Sequence, residues 1–325
     1  QDANNCTFPV PVTIAEPTPV VGALDATTDA DCNGATTGSA TISASGGTPP
    51  FTFNIGSGPV ASGNFTSLSA GAYSVTVLDD NGCSDVVPFN INEPNPVLGN
   101  LDASVDADCN GATTGSATIS ASGGTPPFTF DIGAGPVASG NFNGLSAGAY
   151  SVTVLDDNDC SDVVNFTINE PALLVLSEDA VTDATCGNAN GSFTVSAAGG
   201  TTTYSFDIGT GPQASGTFGA LVAGAYNVTV TDAQGCTDLL AVTVTDLSGL
   251  TASITTQVDA DCNGASTGSV TVTASGSTAP YSYDIGAGFV ASGTFSSLAA
   301  GNYTITAQDA NNCTFPVPVT IAEPT

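Results

Sequence analysis

Twenty-five residues, Asp29 to Phe53, return without a change at Asp106 to Phe130, and looser copies begin at Asp183 and Asp259. A chain written this way folds as a string of like units, so the unit is read first. Its length is set by the cysteines: Cys32, Cys109, Cys186 and Cys262 stand 77, 77 and 76 residues apart, and Cys83, Cys160, Cys236 and Cys313 form a second series at the same pitch. Four units result, 19–95, 96–172, 173–248 and 249–325, preceded by residues 1–18. Gln1–Thr18 is identical to Gln308–Thr325, which makes the opening segment the expected last strand of a preceding unit and suggests a higher-order period of 307 residues. A start in mid-repeat, with no initiator Met and no apolar signal segment, leads us to expect an excerpt from a longer chain or a processed subunit.

Within one unit the apolar residues alternate as they do in half-buried strands. Val20 to Leu24 opens the unit; Ala40, Ile42 and Ala44 alternate with Thr41, Ser43 and Ser45. After the turn Gly46-Gly47-Thr48-Pro49-Pro50 come Phe51, Phe53 and Ile55, then Phe65 and Leu68, then Tyr73, Val75 and Val77, and finally Phe89 and Ile91. Asp79-Asp80-Asn81-Gly82 is a hairpin turn signal. Nothing repeats at the helical period. Six or seven short strands in about 77 residues predict a small antiparallel β-sandwich, Ig-like and all-β, so the whole is read as a tandem array of four. The tyrosine at the start of the late strand, Tyr73, Tyr150, Tyr226 or Tyr303, is placed to turn its hydroxyl back onto nearby backbone as a tyrosine corner, with its ring in the core.

Each unit carries two cysteines about 50 residues apart. The expected pairing is within the unit: Cys32 with Cys83, Cys109 with Cys160, Cys186 with Cys236, and Cys262 with Cys313, leaving Cys6 unpaired within the segment. Such a loop would contribute roughly 3 to 4.7 kcal/mol in the chain-entropy picture, a large share for so small a domain. Zinc is the rival reading of paired cysteines, but ligand spacings of two to four residues are missing and there is no His. Disulfides at this regularity imply an oxidising, extracellular compartment.

The chain has no Lys, Arg or His, 30 acidic residues and a formal net charge of -30. It cannot neutralise phosphates, so nucleic acid and anionic lipid surfaces are poor partners. With 41% apolar and only 9% charged residues it is nevertheless a folding composition, and no apolar run approaches the roughly 20 residues that span a bilayer. Without His or Lys to act as general base and without a phosphate-cradling loop, an enzyme is not expected.

Cys-Asn-Gly, Gly-Ser-Ala-Thr-Ile, Gly-Gly-Thr-Pro-Pro-Phe-Thr-Phe, Leu-Ser-Ala-Gly-Ala-Tyr-Ser-Val-Thr-Val and Asp-Asp-Asn-Gly-Cys, in that order, resemble the SprB repeat, and the resemblance covers all four units. That family occurs in very long surface proteins of Bacteroidetes, among them the adhesin of gliding motility. The resemblance implies export to the cell surface, typically by type IX secretion, and service as the repetitive stalk or filament of an adhesin. Unit three departs from the pattern, with Thr202-Thr203 for the Pro pair and Asp246-Leu247 for Glu-Pro.

Glu16-Pro17, Glu93-Pro94 and Glu170-Pro171 join the units with few residues to spare, and Pro stiffens the joint, so a rod is expected, each unit adding roughly 30 to 40 Å. Asp29-Ala-Asp31-Cys-Asn33-Gly34 matches the first half of a calcium loop and recurs at Asp106, Asp108 and Asn110 and at Asp259, Asp261 and Asn263. It reads two ways: a calcium site completed by Asp79 and Asp80, or a solvated acidic turn. Function reads two ways as well. The units are either structural segments whose partners are neighbouring repeats and other filament chains, or multivalent modules that bind surface glycans through turns such as 56–63. A third expectation is a subunit of a noncovalent extracellular polymer, in which residues 1–18 complete a neighbour.

Overall fold

The computed structural model describes every residue except Asp2, Ser248 and Thr325. In the first repeat the alternating stretches become six strands: β1 (Val21–Thr28), β2 (Gly38–Ser45), β3 (Thr52–Asn54), β4 (Asn64–Leu68), β5 (Gly71–Leu78) and β6 (Ser84–Ile91). Along β2, Gly38, Ala40 and Ile42 are buried while Thr41 and Ser43 face out; along β6, Val87, Phe89 and Ile91 are buried. All pairings are antiparallel, in two sheets ordered β1-β2-β4 and β3-β5-β6. Their inner faces supply one core, including Ala40, Ile42, Phe53, Val75, Val77 and Phe89. First, second and fourth strands against third, fifth and sixth is the sheet division of an Ig-like sandwich. The same six strands recur from Leu98 to Ile168, from Val175 to Val244 and from Thr251 to Ile321.

The tyrosine hydroxyls close the turn before β5 and its counterparts. Tyr73 donates to the carbonyl of Ser69 at 3.0 Å, Tyr150 to Ser146 at 2.9 Å, Tyr226 to Val222 at 2.7 Å and Tyr303 to Ala299 at 2.9 Å. The rings are half-buried at the edge of the core rather than inside it, Tyr73 stacking on Phe89 at 5.5 Å.

β1 and β6 lie side by side in opposite sheets and run the same way. At their beginnings the Asp85 carboxylate accepts from Gly22 N–H at 2.9 Å; at their ends Ala30 N–H donates to the carbonyl of Asn92 at 2.9 Å. Each repeat therefore has two distinct ends. The incoming chain, the 46–48 turn and the β5–β6 hairpin (79–83) share the first. The β1–β2 loop (29–37) and the outgoing chain share the second. The incoming chain is docked tightly: Gly47 N–H donates to the Thr18 carbonyl at 2.9 Å, and a Cβ on Gly46, at φ +68°, would meet the Pro19 carbonyl oxygen at 2.0 Å.

The chain groups into two compact units, 1–107 with 113–169, and 108–112 with 170–325. The β1–β2-type loop of repeat two thus belongs with repeat three. Residues 3–20 form no strand; a strand needs a neighbouring ladder to take up its backbone N–H and C=O groups.

Candidate functional site

The most built-up places in the molecule are the junctions between repeats, and they overturn the expected cysteine pairing. None of Cys32–Cys83, Cys109–Cys160, Cys186–Cys236 or Cys262–Cys313 forms. Instead Cys32 bonds Cys160, Cys109 bonds Cys236 and Cys186 bonds Cys313, with Cα–Cα distances of 5.6, 5.7 and 5.1 Å. In every case the β1–β2 loop of one repeat is tied to the β5–β6 hairpin of the next. The reason is the parallel run of β1 and β6. Cys32 follows the end of β1 and Cys83 precedes the start of β6, so one whole strand, roughly 26 Å for eight residues, separates them. A disulfide tolerates less than about 7 Å between Cα atoms. The hairpin that does come within reach is the next repeat's, because the outgoing chain delivers that repeat hairpin-end first. Cys83 and Cys262 are left as exposed thiols, and Cys6 is exposed as well.

The loop carrying the first cysteine is held from behind by the linker acid. Gly34 N–H donates to Glu93 Oε2, and Asn33 Nδ2 donates to the Pro94 carbonyl at 3.1 Å. In repeat two, Gly111 N–H and Asn110 Nδ2 reach Glu170 at 2.6 and 3.1 Å; in repeat four, Gly264 N–H and Asn263 Nδ2 reach Glu323 at 2.7 and 3.4 Å. Repeat three keeps the contact with a shorter acid, Asp246, which accepts from Gly187 N–H at 3.2 Å. The Glu of Glu-Pro, read from the sequence only as part of a stiff linker, is an anchor for the cysteine loop. Its constant position about 60 residues after the Asn-Gly turn was the available signal.

This arrangement occupies the residues that resembled a calcium loop. Asp29 accepts from the N–H and side-chain amide of Asn92, and Asp106 does the same with Asn169. Asp259 accepts from Ala322 N–H at 3.0 Å, while Asp31 and Asp261 use their own N–H groups to bond Thr37 and Thr267. Asn33, Asn110 and Asn263 turn to the linker. The Asp108 carbonyl lies 3.4 Å from Cys236 Sγ. Among the described residues no group of three or more His, Cys, Asp or Glu is placed to hold a metal. The Asn92 backbone N–H, then its side-chain amide, hold the Asp29 carboxyl below the usual range; the backbone N–H and hydroxyl of Thr245 do the same for Asp183.

The hairpin bearing the second cysteine is organised by a buried carboxylate. Asp79 Oδ2 accepts from Thr48 N–H at 2.9 Å, and Oδ1 from Asn81 and Cys83 N–H at 3.1 and 2.8 Å. Asp156, Asp232 and Asp309 are buried in the same place, and each accepts from the following cysteine's N–H. These bonds, Thr48 foremost, hold the Asp79 carboxyl low, and for Asp232 backbone donors outweigh an opposing desolvation. Asp79 is thus engaged inside its own repeat, while Asp80 stays exposed and donates its N–H to the Thr48 carbonyl at 3.0 Å. Across the junction, Asn158 Nδ2 donates to the Asp31 carbonyl at 3.2 Å.

The SprB repeat family model matches the chain at 24–59, 101–136, 179–213 and 254–288, once in each repeat. The four units are SprB repeats. No curated protein matches the chain. Among solved structures it is similar to Sidekick-1 immunoglobulin domains 1–5 (11% identity, TM-score 0.30, 93% of this chain and 77% of that one). It is also similar to invasin, a bacterial integrin-binding protein (13%, 0.35, 93% and 79%), and to the N-terminal eight Ig domains of Down Syndrome Cell Adhesion Molecule (11%, 0.28, 94% and 48%). It spans about half the length of the last. The Ig-like assignment rests on the strand order itself.

Proposed function

We propose that the chain is a non-enzymatic, structural stretch of a repetitive extracellular adhesin, a stalk or filament segment that carries tension and resists bending between the cell surface and an adhesive element. The SprB repeats and the disulfides fit a cell-surface protein. The observation that carries the stalk reading is that three successive junctions are crossed twice by covalent bonds, once by the backbone and once by a disulfide. A single linker permits swivelling about itself, whereas a second strut through Cys32–Cys160 removes that freedom. The linker acid adds to this by fixing the root of the strut. Gliding motility and type IX export are the setting that the family resemblance implies. The absence of Lys and Arg suits an exterior role, since trypsin-like proteases find no site.

Small-angle scattering of the protein before and after reduction tests this. We expect the maximum dimension to fall and the distance distribution to broaden on reduction, with the circular dichroism of the sandwiches unchanged. Indistinguishable scattering in the two states would remove the basis for a stiffened stalk.

A further inference from the structure

Cys83 sits in a hairpin, and Cys262 in a loop, of the kind whose cysteines are joined as Cys32–Cys160, Cys109–Cys236 and Cys186–Cys313. We infer that each is half of a further staple: Cys262 bonds the hairpin cysteine of a following SprB repeat, and Cys83 bonds the loop cysteine of a preceding one. A second copy of this chain carries both complements, so that Cys262 of one copy joins Cys83 of the next.

Both halves are preformed without their partner. The Cys262 loop keeps the Ala265 N–H to Cys262 carbonyl bond at 3.0 Å, as in Ala35 to Cys32 at 3.1 Å. Its Asp261 N–H bonds Thr267 Oγ1 at 2.9 Å, as Asp31 bonds Thr37 at 2.8 Å, and Glu323 grips Gly264 as Glu170 grips Gly111. The Cys83 hairpin is held by Asp79 as the bonded Cys160 hairpin is by Asp156. Asn81, the counterpart of the junction-crossing Asn158, is exposed. Exposure follows bonding: all six bonded cysteines are half-buried or buried, whereas Cys83 and Cys262 are exposed. At the 307-residue period the next counterpart of Cys83 falls 128 residues beyond Cys262, against separations of 128, 127 and 127 in the bonds present. Because the halves differ, the contact is head-to-tail and leaves a free half at each end of a joined pair.

The step needs an oxidant, and a small-molecule disulfide such as oxidised glutathione suffices. One cysteine thiolate attacks it, releasing one glutathione thiol and leaving a mixed disulfide. The second cysteine thiolate displaces the other glutathione, so two thiols lose two electrons and two protons to two glutathione thiols. At a net charge of -30 per chain, copies repel one another, so salt should accelerate the joining.

Two variants in a C6S background, C83S and C262S, are mixed with oxidised glutathione and run without reducing agent. The expected result is a heterodimer that grows no further, forming at least ~10-fold faster in the mixture than homodimers form in either variant alone, and faster at 0.5 M than at 0.05 M salt. The C6S parent should give a ladder. Homodimers forming as fast as heterodimers would overturn the inference, reducing both sites to ordinary exposed thiols. In native material, alkylation of Cys83 or Cys262 before reduction would also overturn it. Protection with a large drop in size on reduction identifies a second chain as the partner; protection without one identifies a repeat of the same polypeptide. Neither readout depends on stiffness, so the stalk reading stands or falls separately.

Discussion

Residues 3–17 and 310–324 have the same sequence and opposite fates. In repeat four the segment supplies the last strand, Thr314–Ile321, paired residue by residue with Gly301–Gln308, and Val317, Val319 and Ile321 are buried. At the other end of the chain the identical residues form no strand, and Ile14 is 91% exposed where Ile321 is 2%. Alternation of apolar residues is therefore a capacity to be a strand. Its realisation requires a partner ladder and an opposing sheet. The cysteines repeat the lesson, since Cys160 and Cys83 sit in similar hairpins and only Cys160 is bonded to a loop cysteine, Cys32.

The sharpest way to break this comparison is to remove the realised copy. A chain ending at Cys313 lacks three buried side chains worth about 1.5–3 kcal/mol each, so repeat four should lose its cooperative unfolding transition in calorimetry. A peptide of residues 7–16, identical to 314–323, should restore that transition by strand addition. A milder pair is Ile321→Ala against Ile14→Ala: the first should cost about 2–5 kcal/mol in urea unfolding, the second less than about 0.5 kcal/mol.

Acid should separate hairpins and loops from strands. Asp29, Asp79, Asp183, Asp232 and Asp284 have carboxyls held below their usual value of 3.8 by backbone donors. A depressed folded-state value contributes stability above the unfolded pKa and loses it as pH falls through the folded one. Stability should therefore decline below about pH 4, and Asp79→Asn should flatten that decline in a pH series of thermal melts. The smallest effect should come from Cys32→Ser. Because the bond lies between repeats, the melting of each sandwich should shift by no more than about 0.5 kcal/mol, against the roughly 5 kcal/mol that a 128-residue closed loop would contribute if repeats one and two unfolded together.

The strands were legible because their signal is local. Ala40 and Ile42, or Val75 and Val77, declare their face by alternation, and Leu68 to Tyr73 declare a corner whose hydrogen bond spans four residues. The disulfide partners were not legible, because a period of 77 makes Cys83 and Cys160 equivalent choices for Cys32. The partners of the acidic loop were hidden for a related reason: Asp29, Asn33 and Gly34 have the composition of a cation loop, and what they bind, Asn92, Pro94 and Glu93, arrives from about 60 residues away.

By itself the sequence determined the number of repeats, their all-β character, the inward residues of each strand and the tyrosine corner, since all of these follow from spacing along the chain. Only the tertiary structure decided that β1 and β6 run parallel, and hence that the two cysteines of a repeat lie a strand length apart. That separation turns what would be four private staples into a covalent connection from each repeat to the next, because bond formation depends on distance in space and a periodic sequence leaves that distance open.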